Sequence, residues 1–293
     1  MHASAAEPKT KEDDMTDDLA SGFQNVDRAV DFAVFSGCLS LIDSMPFFAE
    51  CKRESYGLLG AGPGQKILEV GCGLGDDAAA LAKIVAPGGS VVAVDGSESM
   101  VEAARERHGD VSGLSFDVAD AAQLPFDDGS FDGCRIDRVL QHIADPHEAI
   151  IEMVRILRPG GNLVAFDNDW ETLTVDSADR SMTRLVLNAW CDRFPSGWIG
   201  RQLVPLFLEA GLNDVVAYPK TLVLRELDVA DQLYRFFSTA QGLVATGTVD
   251  RDDAERWSDG LRTADAEGRF FTSYTGFLVS GRRRSDGHGS DGQ

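Results

Sequence analysis

Between Lys66 and Asp167 the chain repeats one unit: a short apolar, β-branched run, a turn rich in glycine or acid, then a helical stretch. Ile67-Leu68-Glu69-Val70 leads into Gly71-Cys72-Gly73-Leu74-Gly75, and Asp76-Asp77 opens an alanine-rich helix that stops at Pro87-Gly88-Gly89. Ser90-Val91-Val92-Ala93-Val94-Asp95 reads as a second strand, apolar throughout as a parallel strand covered on both faces should be. A helix from Ser97 to Arg107 and strands at Leu114 to Val118, Phe131 to Ile136 and Asn162 to Asp167 continue the pattern. The helix before the last of these is expected to start at Asp145, with Pro146 in its first turn and Glu148 at the capping-box position. Its stripe is Ala149, Ile150, Met153, Val154 and Leu157, and Pro159-Gly160-Gly161 ends it. Strands alternating with helices at this spacing predict an α/β fold, a doubly wound and mostly parallel sheet with right-handed crossovers.

The flanks are less regular. From about Gly22 to Gly60 apolar residues fall at helical spacings, predicting two or three helices ahead of the sheet. After the fifth strand, Val215 to Leu224 and Phe270 to Val279 read as two more strands, and Leu203 to Ala210 and roughly Ala230 to Thr263 as helical. The expected organisation is a polar N-terminus over 1–20 and a single domain over 21–282. That domain divides into a helical cap (21–62), a ligand-binding core (66–169), and a lid with the last strands (170–282). A tail low in apolar residues, 283–293, is excluded from the fold with the N-terminus.

Composition narrows the partners. The net charge is −21 over 293 residues, and the basic run Arg282-Arg283-Arg284 opens the polar tail rather than a binding face. Phosphate neutralisation needs clustered Lys and Arg, so nucleic acid and anionic membrane are not expected as partners. The 5 cysteines are scattered, with no C-x-x-C pair, and read as reduced thiols. With no signal-peptide or membrane-span pattern, the expected location is the cytoplasm. Oligomeric state is open, a homodimer being one option.

The glycine turn follows a strand and opens a helix, and Asp95 closes the next strand about 20 residues on, where a carboxylate accepts hydrogen bonds from ribose hydroxyls. A dinucleotide fingerprint would place its third glycine where Asp76 stands, and Asp76 and Asp77 would repel a pyrophosphate. A mouth carrying Glu69, Asp76, Asp77 and Asp95 is a better electrostatic match to a cationic ligand without phosphate.

Glu69-Val70-Gly71-Cys72-Gly73-Leu74-Gly75 resembles the first motif of class I S-adenosylmethionine-dependent methyltransferases. Asp120 to Phe126, Phe131-Asp132 and Arg155 to Gly161 resemble later landmarks of the ubiquinone/menaquinone-type branch. The resemblance runs from about Lys66 to Asp169 and implies a seven-stranded Rossmann-like sheet ending in an antiparallel hairpin, with S-adenosyl-L-methionine as cofactor. It implies that Glu69, Gly71, Cys72, Gly73 and Gly75 hold the methionine end, with Asp95, Gly96 and Ser97 at the ribose. Met100 would pack on the adenine, with Asp120 and Ala121 at its amino group, and Asp137 and Arg138 would lie beside the methyl group.

Methyl transfer needs a base only where the acceptor must lose a proton, and His142, after the fourth strand, is the candidate. The alternative for His142 is a histidine that shapes the pocket or caps a helix. Asp137 and Arg138 contact a ligand or pair with each other. Trp170, Trp190, Phe194, Trp198 and Phe207 follow the fifth strand; the four-residue spacing of Trp190, Phe194 and Trp198 suits helix packing as well as an acceptor pocket. Asp167, Asn168 and Asp169 are the tightest group of oxygen ligands, but a solvated strand end accounts for them and no metal is expected. The expected activity is methyl transfer to O, N or C of a small organic acceptor, in secondary metabolism. The alternatives are a non-transfer reaction such as a cyclisation on the same fold, a module that only senses the cofactor, and, least favoured, a nicotinamide oxidoreductase.

Overall fold

The structure, a computed structural model, describes Asp27 and residues 32–285, with the side chains of 32–36 outside that description. The expected N-terminal segment 1–20 and most of the expected tail therefore lie outside the described residues.

A seven-stranded sheet forms the centre, built from β1 (Lys66–Val70), β2 (Ser90–Asp95), β3 (Leu114–Val118), β4 (Phe131–Asp137), β5 (Leu157–Val175), β6 (Leu212–Leu224) and β7 (Thr272–Arg283). Their order is β3-β2-β1-β4-β5-β7-β6, and β7 alone runs antiparallel to its neighbours. The chain starts in the middle of the sheet, winds outward through β2 and β3, then returns to the other side of β1 through β4. That reversal between β1 and β4 opens a crevice at the carboxyl ends of the strands, where open α/β sheets bind ligands.

Among the described residues there are ten helices: α1 (Phe32–Ser44), α2 (Pro46–Leu59), α3 (Asp76–Val85), α4 (Glu98–His108), α5 (Pro146–Ile156), α6 (Arg180–Cys191), α7 (Ile199–Glu209), α8 (Leu227–Tyr234), α9 (Phe236–Ala245) and α10 (Arg251–Ala266). Strand side chains alternate between faces, so two cores form. Ile67, Val91, Ala93, Val164 and Phe166 pack under α2, α3, α4 and the lid helices, and Leu68, Val70, Val94, Cys134 and Leu163 pack under α5 and α7. The lid, α6 with α8–α10, carries its own apolar contacts through Trp190, Tyr234, Phe236 and Trp257, continuous with the first core.

The cap residues act as expected at α5, where the Asp145 carboxylate accepts from Glu148 N–H at the helix start. Three expectations are corrected. β5 begins at Leu157, so Pro159-Gly160-Gly161 lies inside a strand, and α5 has already ended at Ile156. β7 continues through Arg283, whose guanidinium donates to the carbonyls of Val154 and Arg155, so the ordered chain reaches into the segment expected as tail. Finally, Trp190, Phe194 and Trp198 do not share a helix: α6 stops at Cys191, Phe194 lies in the following turn, and Trp198 is 39% exposed just before α7. No helix among the described residues is long and apolar enough to cross a membrane.

Candidate active site

A cavity of about 630 Å³ occupies the crevice, and it runs from the glycine turn to the lid. Glu69, Gly71, Cys72, Gly73, Asp95, Gly96, Ser97, Met100, Asp120, Ala121, Asp137, Arg138 and His142 all line it. Gly75 does not.

The glycines divide the work of the turn. Gly71 has φ +71, and a Cβ there would lie 2.1 Å from a Val139 methyl, so the close approach of the β1 and β4 ends requires glycine. Gly75 has φ +82 and sits before α3, where a Cβ would meet the Phe116 ring at 2.8 Å. It seats α3 against β3 and lies outside the cavity lining. Gly96 is different again: nothing lies within 4 Å of a Cβ built on it, so the cavity is open beside it.

Asp95 organises this end. Its carboxylate accepts from Gly73 N–H at 2.9 Å and Ser97 N–H at 3.0 Å, tying the glycine turn to the start of α4. Burial pushes the Asp95 carboxyl up, and these backbone donors oppose the shift. Ser97 Oγ caps α4 by accepting from Met100 N–H, and Asp27 adds a second cap by accepting from Ser97 Oγ and from the N–H groups of Glu98 and Ser99. Asp120 holds its own turn by accepting from Ala122 N–H at 2.9 Å.

Beneath the turn lies a buried ion group that the sequence did not reveal. Arg135, 1% exposed on β4, donates to Glu69, to Asp77 at 3.2 Å, to Asp137 at 2.5 Å and, through Nε, to Ser55 Oγ at 2.8 Å. Lys52 from α2 pairs with Asp77 at 2.8 Å and Asp43 at 2.6 Å, while Arg138 pairs with Asp137 at 2.6 Å. Asp137 and Arg138 thus pair with each other, one of the two alternatives expected of them, and both also line the cavity. The acidic mouth read from the sequence is largely compensated, since Asp76 also pairs with Arg107 and with His108, each at 2.9 Å. Asp77 stays ionised, its carboxyl held at about 2 by Arg135 and Lys52 in spite of burial. Glu69 goes the other way. Burial, with Asp77 and Asp137 sharing the same guanidinium, lifts its carboxyl to about 8, and its buried Oε2 has no hydrogen-bond partner among the described residues.

Past Arg138, whose φ of +57 turns the chain sharply, a single 3₁₀ turn spans Leu140 to His142. Gln141 is the hub there. Its Oε1 accepts from Trp170 Nε1–H at 2.8 Å and Asn168 Nδ2–H at 3.1 Å, and its Nε2 donates to the Arg138 carbonyl at 3.1 Å. An indole N–H can only donate and a carbonyl only accept, so the amide orientation is fixed. Its second N–H faces His142 Nε2 at 3.2 Å, which makes that imidazole nitrogen the acceptor of the pair.

Asp167, Asn168 and Asp169 are 0%, 3% and 1% exposed, so the solvated strand end expected for them is overturned. Asp167 accepts from the N–H groups of Gln141 and Asn168, and burial raises its carboxyl to about 7. Asp169 is held by Arg201 at 2.5 and 2.8 Å. Among the described residues no group of three or more His, Cys, Asp or Glu is arranged to hold a metal ion.

The far end of the cavity is aromatic, lined by Trp170, Trp190, Phe194, Leu233, Tyr234 and Tyr274. Trp170 and Phe194 are stacked at 5.3 Å, and Trp170 also touches the Trp190, Tyr234 and Tyr274 rings. Of the five aromatics singled out in sequence, Trp170, Trp190 and Phe194 reach the cavity; Phe207 is buried on the opposite face of the sheet. Gln141, Lys52, Tyr234 and Tyr274 were missed. Gln141 adjoins His142, but the others sit on distant elements and carry no local motif.

Comparison with known proteins agrees with this geometry. The methyltransferase domain family (Methyltransf_11) matches residues 68–165. An uncharacterized 37.1 kDa protein in a transposon of Streptomyces fradiae is 40% identical over 222 residues, covering 75% of this chain and 63% of that protein. A demethylmenaquinone methyltransferase of Staphylococcus aureus is 39% identical over 117 residues, 40% of this chain and 48% of that enzyme. The chain thus matches less than two thirds of the length of these curated relatives. In structure, phosphoethanolamine N-methyltransferase 2 of Haemonchus contortus superposes with a TM-score of 0.57 at 16% identity, over 90% of this chain and 60% of that one. Over residues 68–165 the chain thus matches a methyltransferase domain, and its sheet order and glycine turn agree with that match.

Proposed function

We propose that the protein transfers the methyl group of S-adenosylmethionine to O, N or C of a small organic acceptor. The observation that supports this most is the convergence of three features on one cavity: the glycine turn, the unpaired Oε2 of buried Glu69, and the Asp95 carboxylate at the next strand end. Glu69 would accept from the ammonium of the methionine end, a cationic partner that also favours its ionised form. Asp95 retains lone pairs for ribose hydroxyls beyond the two backbone donors it already serves. Met100 offers an apolar face to the adenine, with Asp120 and Ala121 at its edge.

When bound, S-adenosylmethionine supplies a methyl carbon already activated by sulfonium. The remaining task of the protein is to hold an acceptor atom in line and keep water out, and a cavity closed by α1, α2 and the lid suits it. His142 is proposed as a ring that shapes the acceptor site. Its Nε2 lone pair is engaged by Gln141, so service as a general base there would first require that bond to break.

The test is to incubate the full chain with S-adenosylmethionine and a panel of phenols, amines and enolisable carbonyl compounds. S-adenosylhomocysteine formed one-for-one with methylated product is the expected result. A transformed acceptor with no S-adenosylhomocysteine would replace methyl transfer with a rearrangement such as a cyclisation. Secondary metabolism remains the proposed setting.

A further inference from the structure

The aromatic half of the cavity contains two buried hydrogen-bonding groups that no described residue satisfies. Trp190 Nε1–H and the Tyr234 hydroxyl are both without partners among the described residues, on side chains 2% and 1% exposed that line the cavity. Leaving such a group unpaired is costly, so buried examples call for an explanation. The two rings flank the same indole, Trp170, at 5.7 and 5.9 Å.

From this arrangement we propose that this half of the cavity takes a neutral, planar, aromatic acceptor carrying a carbonyl or ether oxygen that receives these two hydrogen bonds. The inference deepens the methyl-transfer reading and rests on it. Planarity follows from the wall, where the stacked Trp170 and Phe194 rings and their neighbours present flat faces suited to offset stacking. A quaternary ammonium is disfavoured because the rings do not enclose an empty centre: Trp170 fills it, in contact with four other rings. Neutrality follows from the charges. Burial drives the phenols of Tyr234 and Tyr274 up, so they remain uncharged donors, and the nearby cations Arg138 and Lys52 are committed to Asp137, Asp77 and Asp43. Among the described residues that line the cavity, no Lys or Arg is left uncommitted to meet an anionic acceptor.

The test uses the full chain saturated with S-adenosylhomocysteine, titrated calorimetrically with 7-methoxycoumarin, coumarin-3-carboxylate and benzyltrimethylammonium. We expect the neutral coumarin to bind at least tenfold more tightly than either ion. Trp190→Phe and Tyr234→Phe each keep the ring and remove one donor; each should weaken the coumarin about three- to tenfold and by clearly more than it weakens S-adenosylhomocysteine. Equal or tighter binding of an ion, no coumarin binding with S-adenosylhomocysteine in place, or coumarin binding unchanged in both variants would overturn the inference alone. Coumarin binding to a protein that does not bind S-adenosylhomocysteine would instead overturn the methyl-transfer reading, and this assignment of an acceptor with it.

Discussion

The two ends of the cavity are built on opposite principles. At the glycine turn the lining is polar and every cation is spoken for: Arg135, Arg138 and Lys52 are locked to Glu69, Asp77, Asp137 and Asp43. At the lid the lining is aromatic and uncharged, and Trp190 Nε1–H and the Tyr234 hydroxyl have no partner among the described residues. The first end is a rigid cradle positioned by strands β1, β2 and β4; the second is assembled from α6, α8, β5 and β7, elements far apart in sequence. A fixed cradle suits a ligand common to many proteins, while a surface of large rings can be altered residue by residue without disturbing the sheet.

The contrast is broken most severely by removing Arg135. Arg135→Ala would take the shared, buried guanidinium from Glu69, Asp77 and Asp137, a loss of about 3–5 kcal/mol, to be read as a large drop in the thermal midpoint. A midpoint shifted by no more than a degree or two would mean that the ion group contributes little. A second probe sharpens the electrostatic side. Because Glu69 holds its proton up to about 8 and a bound ammonium favours the carboxylate, binding must release that proton at lower pH. S-adenosylhomocysteine affinity should therefore rise about tenfold between about pH 6.5 and 8 and then level off. Glu69→Gln should bind more weakly and flatten the rise; a rise retained in that variant would assign it to another group, Asp167 being the nearest candidate. The smallest effect is expected at His142. His142→Gln should slow methyl transfer less than tenfold if the ring only shapes the pocket, whereas loss of a general base costs about 10²–10⁴-fold.

The same division separates what the sequence disclosed from what it did not. Strands β1 to β4 and the glycine turn were legible because each follows from local chemistry: short runs with apolar positions between turn residues, β-branched in β2, and glycine where the turn demands positive φ. Even so, the motif does not say which glycine does what: Gly71 lines the cavity, while Gly75 seats a helix. The ion group was illegible because its members come from α2, α3, β1 and β4, and only tertiary structure brings Lys52 to Asp77 or Ser55 to Arg135. Asp167-Asn168-Asp169 reads as a polar strand end until Gln141 and Arg201 are seen to cover it. Likewise the spacing of Trp190, Phe194 and Trp198 imitates a helix stripe, although the helix stops after the first of them. Asp132 and Arg155, part of the family-like motifs, do scaffold work: Asp132 accepts from Lys66 N–H, and Arg155 ties down the carbonyls of Leu124 and Phe126.

The central claim is that the cradle at the glycine turn holds an adenosyl ligand through Asp95. Calorimetric titration of the protein and of Asp95→Ala with S-adenosylmethionine, S-adenosylhomocysteine and NADH tests it most directly. The account predicts micromolar binding of both adenosyl ligands, weakened about 10²-fold in Asp95→Ala as hydrogen bonds to a charged acceptor are lost, and no binding of NADH. Binding of NADH alone, or adenosyl binding indifferent to Asp95, would contradict it.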